Sequence, residues 1–556
     1  MYVLLAPAPE EHVELTPCDA QGQPLGAARR VPLSQLAGVV REVEASRPRW
    51  VWERAQLWYP ALLRQGVEVE RCHDLALCQA ILAGSVATEQ TGYPRLTPEQ
   101  HRELPEPDAA ESIEQAPEQQ RLFETAERPR QRGAASAELL PEFQAQLRAV
   151  ATSVQPGRLN LLLAAESAGA LIAAEMQHEG VPWRRELHEA LLEEALGPRP
   201  RGTERPARME ALLARVRAEL KAPTLHPDSP QELIRALRRA GIEAKSTRTW
   251  ELREFHHPAI EPLLEYKKLA RLYSANGWVW LDQWVHQGRF HPEYMVGGVV
   301  SGRWASRGGG ALQIPRQVRG AVHADPGHKL IVADAAQLEP RVLAALAHDD
   351  ALARAAQGQD LYAGIADQGF GGGRAAAKVA MLGAMYGATT GESGRLMPQL
   401  ARLYPAAVGL VEEAARAGER GELVSTYLGR SSPAPSAGWL AAQRTTSEAE
   451  QRRADSMARS RGRFTRNFVV QGTAAEWASC WLAELRRRLR ARPELASRLV
   501  FFLHDEVMVH CPESVTAQVS TLITESAQAA KELLFGQAPL DIPVSIAVVD
   551  HYDEAK

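Results

Sequence analysis

The chain has 556 residues, 45% of them hydrophobic and 24% charged, with a formal net charge of −4, which indicates a soluble globular protein of three or four domains. It contains no run of about 18 apolar residues, no signal-peptide pattern at its start, and five scattered cysteines. These features argue against a transmembrane helix, secretion and a disulfide framework, so we expect a cytoplasmic protein without a membrane partner.

The first part of the chain, up to about residue 290, has two kinds of pattern. Residues 101–135 are rich in Glu, Gln, Pro, Ala and Arg and poor in large apolar residues, which predicts a mobile linker or surface insertion. Residues 160–290 are mostly helical in pattern and include a long amphipathic stretch at 260–285. Within it, Lys267 and Lys268 could neutralise phosphates or could simply lie on a solvated helix face.

A short apolar segment at 329–334 predicts a buried strand with Asp334 at its C-terminal end. A helix is predicted to follow, with Pro340 in the first turn, where its missing N–H costs no hydrogen bond. A carboxylate at a strand-to-helix junction is a common place for a metal ligand. Taken alone, it is equally often a helix cap.

The segment 374–387 predicts a helix with one unusual face. Arg374, Lys378, Leu382 and Tyr386 recur every four residues and therefore lie on the same side. Two cations, an apolar residue and an aromatic suit a nucleoside triphosphate, with phosphates on the charges and the base against the ring. An ordinary amphipathic helix with Tyr386 in the core has the same pattern, so the helix alone does not decide.

The segment 499–510 predicts a β-hairpin, because two apolar β-type runs flank a polar tip of His504, Asp505 and Glu506. The turn lacks the usual Asn-Gly signal, so local turn preference does not explain these residues. Two acids at the tip repel each other unless a cation lies there. We therefore favour a metal site over a solvated turn.

These three segments resemble motifs A, B and C of the family A DNA polymerases and follow one another in the family's order. Residues 334–341 read Asp-Ala-Ala-Gln-Leu-Glu-Pro-Arg, where motif A usually reads Asp-Tyr-Ser-Gln-Ile-Glu-Leu-Arg; the other two match Arg-x3-Lys-x7-Tyr-Gly and His-Asp-Glu. Residues 301–303 and 312–315 resemble the segment before motif A, and 463–475 resembles the helix between motifs B and C. The resemblance covers roughly residues 166–556.

The resemblance implies an α+β right-hand polymerase, with palm, fingers and thumb, that extends a primer on template DNA with dNTPs. Its two-metal chemistry implies two divalent ions, Mg²⁺ with Mn²⁺ as a substitute, held by Asp334 and Asp505, with Glu506 as a further metal ligand. Arg374 and Lys378 are implied to grip the triphosphate and to neutralise the charge that develops on it.

Other positions are implied to contact the nucleotide or the DNA. Gln337 and Leu382 are implied to lie at the nucleotide, Glu339 to exclude a ribose 2′-hydroxyl, and Tyr386 to stack at the template position. The positions implied to contact primer–template DNA, testing pair shape rather than sequence, are Arg303, Arg341, Arg463, Asn467, Gln471, His504, Lys267 and Lys268.

The chain departs from the family pattern at four positions near these motifs. Ala335 stands where an aromatic is usual, and Pro340 replaces an apolar residue. Leu382 stands where Phe or Tyr packs against the sugar, and Tyr362 stands where a His contacts the triphosphate. None of these changes removes a metal ligand, so they bear on efficiency and sugar selection.

Residues 52–84 resemble the RNase H-like 3′–5′ exonuclease domain of the family. That chemistry needs four carboxylates around two metals, and the expected acids are missing. No Asp-x-Glu pair occurs in residues 1–60, Trp58 stands near the second position, and 133–138 reads Gly-Ala-Ala-Ser-Ala-Glu. We therefore expect a structural remnant without nuclease activity, and no 5′-nuclease domain.

The resemblance yields a domain plan and leaves alternatives. The predicted domains are an exonuclease-like domain at 1–165, thumb at 166–290, first palm segment at 291–345, fingers at 346–435 and second palm segment at 436–556. We expect a monomer that acts in DNA repair or replication gap filling. The alternatives are a single-subunit RNA polymerase of the phage type, which Glu339 argues against, a non-catalytic primer–template binding protein, and a polymerase that retains exonuclease activity.

Overall fold

The computed structural model describes residues 1–96, 135–202, 204–307, 314–358, 360–370, 373–387 and 391–555. The predicted insertion at 101–135, except for residue 135, and residues 312–313 lie outside these ranges. The chain forms two compact units: the first comprises Met1–His178, Tyr294–Ala305 and Ile331–Val548, and the second comprises Glu179–Glu293, Ser306–Leu330 and Val549–Lys556. The assignment of thumb, fingers and palm to residue ranges stays a prediction.

The first unit begins with a mixed five-stranded sheet. Its strands are β1 (Tyr2–Ala8), β2 (His12–Cys18), β3 (Arg29–Pro32), β4 (Arg49–Trp52) and β5 (Arg71–Asp74). They lie in the order β3-β2-β1-β4-β5, with β4 parallel to both β1 and β5 and the other pairs antiparallel. The accompanying helices are α1 (Leu36–Glu44), α2 (Ala55–Leu63), α3 (Leu75–Gly84) and α4 (Ser136–Thr152). An α/β domain therefore occupies the region where one was predicted, and its relation to exonucleases stays a prediction.

Asp74, at the end of β5, joins two helices of this domain. One carboxylate oxygen accepts a hydrogen bond from the Leu77 N–H at 3.1 Å, which caps α3, and the other accepts from the Ala55 N–H at 2.8 Å, where α2 begins. Burial raises the pKa of Asp74 to about 6 despite these bonds. The carboxylate is thus part of the packing of the domain.

The long helix α5 (Pro156–Glu179) lies in the core of the first unit. Within the described ranges it is the one helix long and apolar enough to cross a membrane, but 72% of its most apolar window is buried in protein. Its sequence contains no uninterrupted apolar run, because Glu166 and Glu175 lie within it. Those acids are paired inside the protein: Glu166 with Arg430 and Glu175 with Arg486, both at 2.6 Å.

A second sheet of the first unit carries the acids of the predicted motifs. Its strands are β11 (His328–Ala335), β12 (Arg498–Leu503), β13 (Glu506–Pro512) and β14 (Val544–Val549), in the order β12-β13-β11-β14. β12 and β13 form the predicted hairpin, with Leu503 opposite Glu506. Its two-residue tip is His504, at a φ of 57°, and Asp505. Two shorter strands, β9 (Glu293–Met295) and β10 (Ala305–Arg307), form a separate two-stranded sheet.

Aromatic packing holds the hairpin in place. The Tyr294 hydroxyl accepts a hydrogen bond from the Phe502 N–H at 3.1 Å, and the ring centroids of Trp304 and Phe502 lie 5.0 Å apart. Both Tyr294 and Trp304 are buried. The polar tip therefore projects from a rigid apolar base.

Nine further helices of the first unit follow β11 in the described residues. They are α12 (Leu338–Ala347), α13 (Asp350–Ala355), α14 (Leu361–Asp367), α15 (Gly373–Tyr386), α16 (Gly391–Leu403), α17 (Pro405–Glu419), α18 (Ala437–Ala442), α19 (Glu448–Arg490) and α20 (Thr516–Phe535). The predicted helices at 337 onward and 374–387 correspond to α12 and α15. α19 is 43 residues long and begins with a capping box between Ser447 and Glu450.

The second unit is mainly helical. Its helices are α6 (Arg185–Leu196), α7 (Ala207–Glu219), α8 (Pro230–Arg239), α9 (Thr249–Leu252), α10 (Ile260–Asn276) and α11 (Trp278–Trp284). A small sheet of β6 (Val181–Pro182), β7 (Val285–His286) and β8 (Arg289–Phe290) has β8 at its centre. Trp183, Trp280 and Phe290 pack on one another with ring centroids 4.9–5.6 Å apart.

Candidate active site

The sheet brings the two predicted metal-binding acids together. Asp334 is the penultimate residue of β11, and Asp505 lies at the tip of the hairpin whose strand β13 is the neighbour of β11. The N–H of Ala335 donates a hydrogen bond to the backbone oxygen of Asp505 at 2.9 Å. Residues far apart in the chain are thus adjacent at one end of the sheet.

The two carboxyls repel each other. Desolvation and then the charge of Asp334 raise the pKa of Asp505 to about 7, and Arg303 opposes this effect. Two adjacent carboxylates are a suitable donor set for a hard divalent cation. The residues therefore fit the ions that the sequence resemblance implies.

Glu506 follows Asp505 directly in the chain. It is the first residue of β13 and is 1% exposed. Over the described part of the chain, no group of three or more His, Cys, Asp or Glu side chains is arranged to hold a metal ion. The role of Glu506 as a metal ligand therefore stays a prediction, and a cation held here would take further ligands from substrate phosphates and water.

Glu339, in the first turn of α12, connects two other predicted site residues. The Tyr386 hydroxyl donates to Glu339 Oε2 at 2.5 Å, and Arg303 Nη2 donates to Glu339 Oε1. Burial and the Glu339 charge raise the pKa of the Tyr386 hydroxyl, while a contact from Gln471 on α19 lowers it. The carboxylate of Glu339 is therefore held from two sides.

The structure contains α15 as predicted, with the four residues spaced along one face. Arg374 and Lys378 are exposed, and Leu382 and Tyr386 are partly buried. The opposite face, which includes Ala377, is packed inside the protein. The side chains proposed for the triphosphate are thus accessible on one side of a well-packed helix.

Arg374 already has a partner on a neighbouring helix. Its Nε donates to Asp360 Oδ2 at 2.6 Å, and its guanidinium lies 5.9 Å from the centre of the Tyr362 ring. Asp360 is the N-cap of α14. Sequence analysis missed this pair, because a capping Asp gives no signal of which distant cation it meets.

Gln337 contacts the start of a neighbouring helix, and its predicted contact with the nucleotide stays a prediction. It lies at a φ of 54°, just before α12. Its Nε2 donates to Asp360 Oδ1 at 3.0 Å, and its Oε1 accepts from the Leu361 N–H at 2.7 Å. The amide therefore ties the start of α14 to the start of α12.

The prediction that Arg341 contacts DNA is wrong. Arg341 is 0% exposed. Its guanidinium donates to the backbone oxygens of Ala336 at 2.9 Å, Asp541 at 2.8 Å and Gly358 at 3.0 Å, and to that of Ala356. Its burial lowers its pKa to about 10. Arg341 is a core residue that satisfies carbonyl groups of converging loops.

The remaining residues predicted to contact DNA lie in three places. Arg463, Asn467 and Gln471 recur every four residues on α19 and are each partly buried. At the hairpin tip, the exclusion of water by surrounding protein atoms lowers the pKa of His504 to about 4, and the positive charge of Arg303 contributes a smaller part. The ring is therefore neutral at pH 7. In the second unit, Lys267 donates to the Thr247 backbone oxygen at 2.7 Å and Lys268 is exposed. Their DNA contacts stay predictions.

A buried ion pair that the sequence did not predict lies against Gly302, the residue before Arg303. Gly302 has a φ of +87°, and a Cβ there would lie 2.6 Å from Arg430 Nε. Arg430 is held by Glu166 of α5. The glycine before Arg303 was visible in the sequence, but its neighbour across the fold was not.

Comparisons with known proteins agree with this arrangement. The family model described as DNA polymerase family A matches residues 204–553. The chain is 28% identical over 341 residues to the thermostable DNA polymerase I of Thermus thermophilus, covering 56% of this chain and 38% of that protein. It is 26% identical over 323 residues to DNA polymerase I of Deinococcus radiodurans, covering 52% and 31%. The chain thus spans less than half the length of these relatives.

A solved structure resembles the whole chain. The POL domain of Pol1 from M. smegmatis matches with a TM-score of 0.72 and 17% identity, covering 100% of this chain and 95% of that one. This likeness agrees with the predicted α+β palm, fingers and thumb. Because the family model matches more than half of the chain, the chain belongs to DNA polymerase family A.

Proposed function

We propose that the chain is a template-directed DNA polymerase that extends a primer 3′ end with dNTPs. The observation that carries this proposal is that Asp334 and Asp505 lie side by side. The N–H of Ala335, the residue after Asp334, donates a hydrogen bond to the backbone oxygen of Asp505. The structurally similar Pol1 domain is bound to a DNA primer-template and dNTP, which supports the same partners here. The curated relatives that match are DNA polymerases I.

Asp334 and Asp505 would hold the divalent ions, Mg²⁺ or Mn²⁺. Such ions, when bound, lower the pKa of the attacking hydroxyl and stabilise the leaving pyrophosphate in an in-line displacement. The protein's own contribution is to hold two carboxylates side by side before substrate arrives. The raised pKa of Asp505 supports this role, since a cation would relieve the repulsion that causes it.

The exposed face of α15 would bind the triphosphate. Arg374 and Lys378 stand one turn apart and can pair with phosphate oxygens. Leu382 and Tyr386 continue the same face toward Glu339. Such a row orients the nucleotide along the helix, so that its phosphates and its base occupy different ends.

Glu339 would select the deoxyribose. A carboxylate held by Arg303 and Tyr386 cannot easily move away from a 2′-hydroxyl. Its rigidity therefore supports selection by excluded volume. Leu382 is smaller than the aromatic that the family has at this position, so the space around the sugar is less filled.

The N-terminal domain would not proofread. β1 has the sequence Tyr-Val-Leu-Leu-Ala-Pro-Ala and offers no acid where a metal-binding exonuclease needs one. Asp74 is already used in capping two helices. These observations support a domain that stabilises the protein without cutting DNA.

A primer-extension assay with purified protein and Mg²⁺ tests the proposal. We expect extension with dNTPs, dependent on template, and much weaker extension with rNTPs. Efficient use of rNTPs would instead support an RNA polymerase. Primer–template binding without extension at any nucleotide concentration would identify a non-catalytic binding protein. For the biological role we propose gap filling in repair or replication by a cytoplasmic monomer.

A further inference from the structure

Asp360 binds the guanidinium of Arg374, which the proposed function requires for binding the triphosphate. Asp360 Oδ1 accepts hydrogen bonds from the N–H groups of Tyr362 at 3.0 Å and Ala363 at 3.2 Å and from Gln337 Nε2 at 3.0 Å. Asp360 Oδ2 accepts from Arg374 Nε at 2.6 Å. One oxygen therefore builds the helix terminus and the other holds the arginine.

The ion pair between Arg374 and Asp360 is weak enough for a nucleotide to displace it. The side chains of Arg374 and Asp360 are 56% and 35% exposed, so water screens the pair and weakens it. The Tyr362 ring, 5.9 Å from the guanidinium, adds a weak attraction. Asp360 itself is fixed by its cap bonds and by Gln337, so exchange requires only Arg374 to move.

We propose that Asp360 is a resting-state partner of Arg374 that the triphosphate must displace, so that Asp360 sets the affinity for the incoming nucleotide. This inference rests on the proposed polymerase function. The polyphosphate chain carries more negative charge than one carboxylate and can engage both Arg374 and Lys378. A nucleotide lacking part of that chain competes less well, so the contact favours triphosphates over shorter nucleotides.

The charge of Asp360 can be removed without removing the cap. Asparagine is as good an N-cap as aspartate, because its side-chain oxygen accepts the same N–H bonds. Asp360→Asn therefore tests the pair with Arg374 separately from the start of α14. Glu422→Gln is a matched control, because it removes a carboxylate from another exposed pair, with Arg420 at 2.6 Å.

The test is steady-state incorporation of one nucleotide, with KM and kcat measured separately. An exposed ion pair that competes for Arg374 raises the apparent KM by about two- to fivefold. We expect Asp360→Asn to lower the KM for the dNTP by that factor and to leave kcat unchanged. The control Glu422→Gln should leave both constants unchanged. Equilibrium dNTP binding to a complex with a dideoxy-terminated primer should shift by the same factor without turnover.

A second background tests whether the effect of Asp360→Asn depends on Arg374. In Arg374→Ala protein, adding Asp360→Asn should no longer change the KM, because the competing pair is already absent. An unchanged or raised KM in the single variant would overturn the inference, as would an equal fall of the KM in the Arg374→Ala background. Wild-type incorporation at saturating dNTP reports the polymerase function itself, so the two failures are distinguishable.

Discussion

Asp505→Asn should stabilise the metal-free protein. In the folded state, burial and Asp334 raise the pKa of Asp505 from its ordinary value of 3.8 to about 7. Ionising such a group costs about 4 kcal/mol, at 1.36 kcal/mol per pKa unit. Water around the partly exposed side chain reduces this to about 2–3 kcal/mol. The amide removes both the buried charge and the repulsion.

The effect depends on pH in a defined direction. Below pH of about 4, Asp505 is protonated in both folded and unfolded chains, and the variant gains nothing. Between pH of about 4 and 7 the unfolded chain ionises while the folded site resists, so the wild-type protein loses stability as the pH rises. Above pH of about 7 the difference between wild type and variant is at its maximum.

Thermal unfolding in the presence of a chelator measures this difference. We expect Asp505→Asn to raise Tm by several degrees at pH 8 and by little at pH 4 to 5. Added Mg²⁺ should stabilise the wild type more than the variant, because the ion removes the same repulsion. Asp350→Asn, at an exposed aspartate on α13, is the control. Equal Tm values for wild type and Asp505→Asn at pH 8 would refute the electrostatic reasoning.

Three further predictions concern other parts of the protein. A mismatched primer 3′ end should stay intact with Mg²⁺ or Mn²⁺ and no nucleotides; excision that persists in highly purified Asp505→Ala protein would show that the N-terminal domain is a nuclease. Glu339→Ala should lower the preference for dNTPs over rNTPs in single-nucleotide incorporation, and Leu382→Phe should increase it; an unchanged ratio in Glu339→Ala would place the sugar selection elsewhere. Gly302→Ala should destabilise the protein by about 1–3 kcal/mol in a denaturant titration and slow incorporation, because φ is +87° and the new Cβ meets Arg430 at 2.6 Å; wild-type stability would contradict the tight packing of Gly302 against Arg430.

The elements that position the acids could be predicted from the sequence because their patterns are local. The apolar run before Asp334 and the two runs around Asp505 have the length and composition of buried strands, and the structure contains all three strands. The order of the motifs identified the family. The four-residue spacing from Arg374 to Tyr386 placed these side chains on one face of α15.

The burial of Arg341 and the partners of Asp360 could not be predicted, because only the folded chain brings these groups together. An arginine is usually exposed, and the burial of Arg341 depends on carbonyl groups from three separate segments. Gln337 and Arg374 meet Asp360 for the same reason, since the capping role of Asp360 is local but its other contacts are not.

The central claim is that Asp334 and Asp505 together form the catalytic centre of a polymerase. The most direct measurement is single-turnover incorporation of one dNTP at saturating Mg²⁺ by Asp334→Ala and Asp505→Ala, with primer–template affinity measured on the same samples. We predict that each variant loses incorporation by several orders of magnitude while binding primer–template nearly as well as wild type. Incorporation at a wild-type rate by either variant would contradict the assignment of that residue to the site.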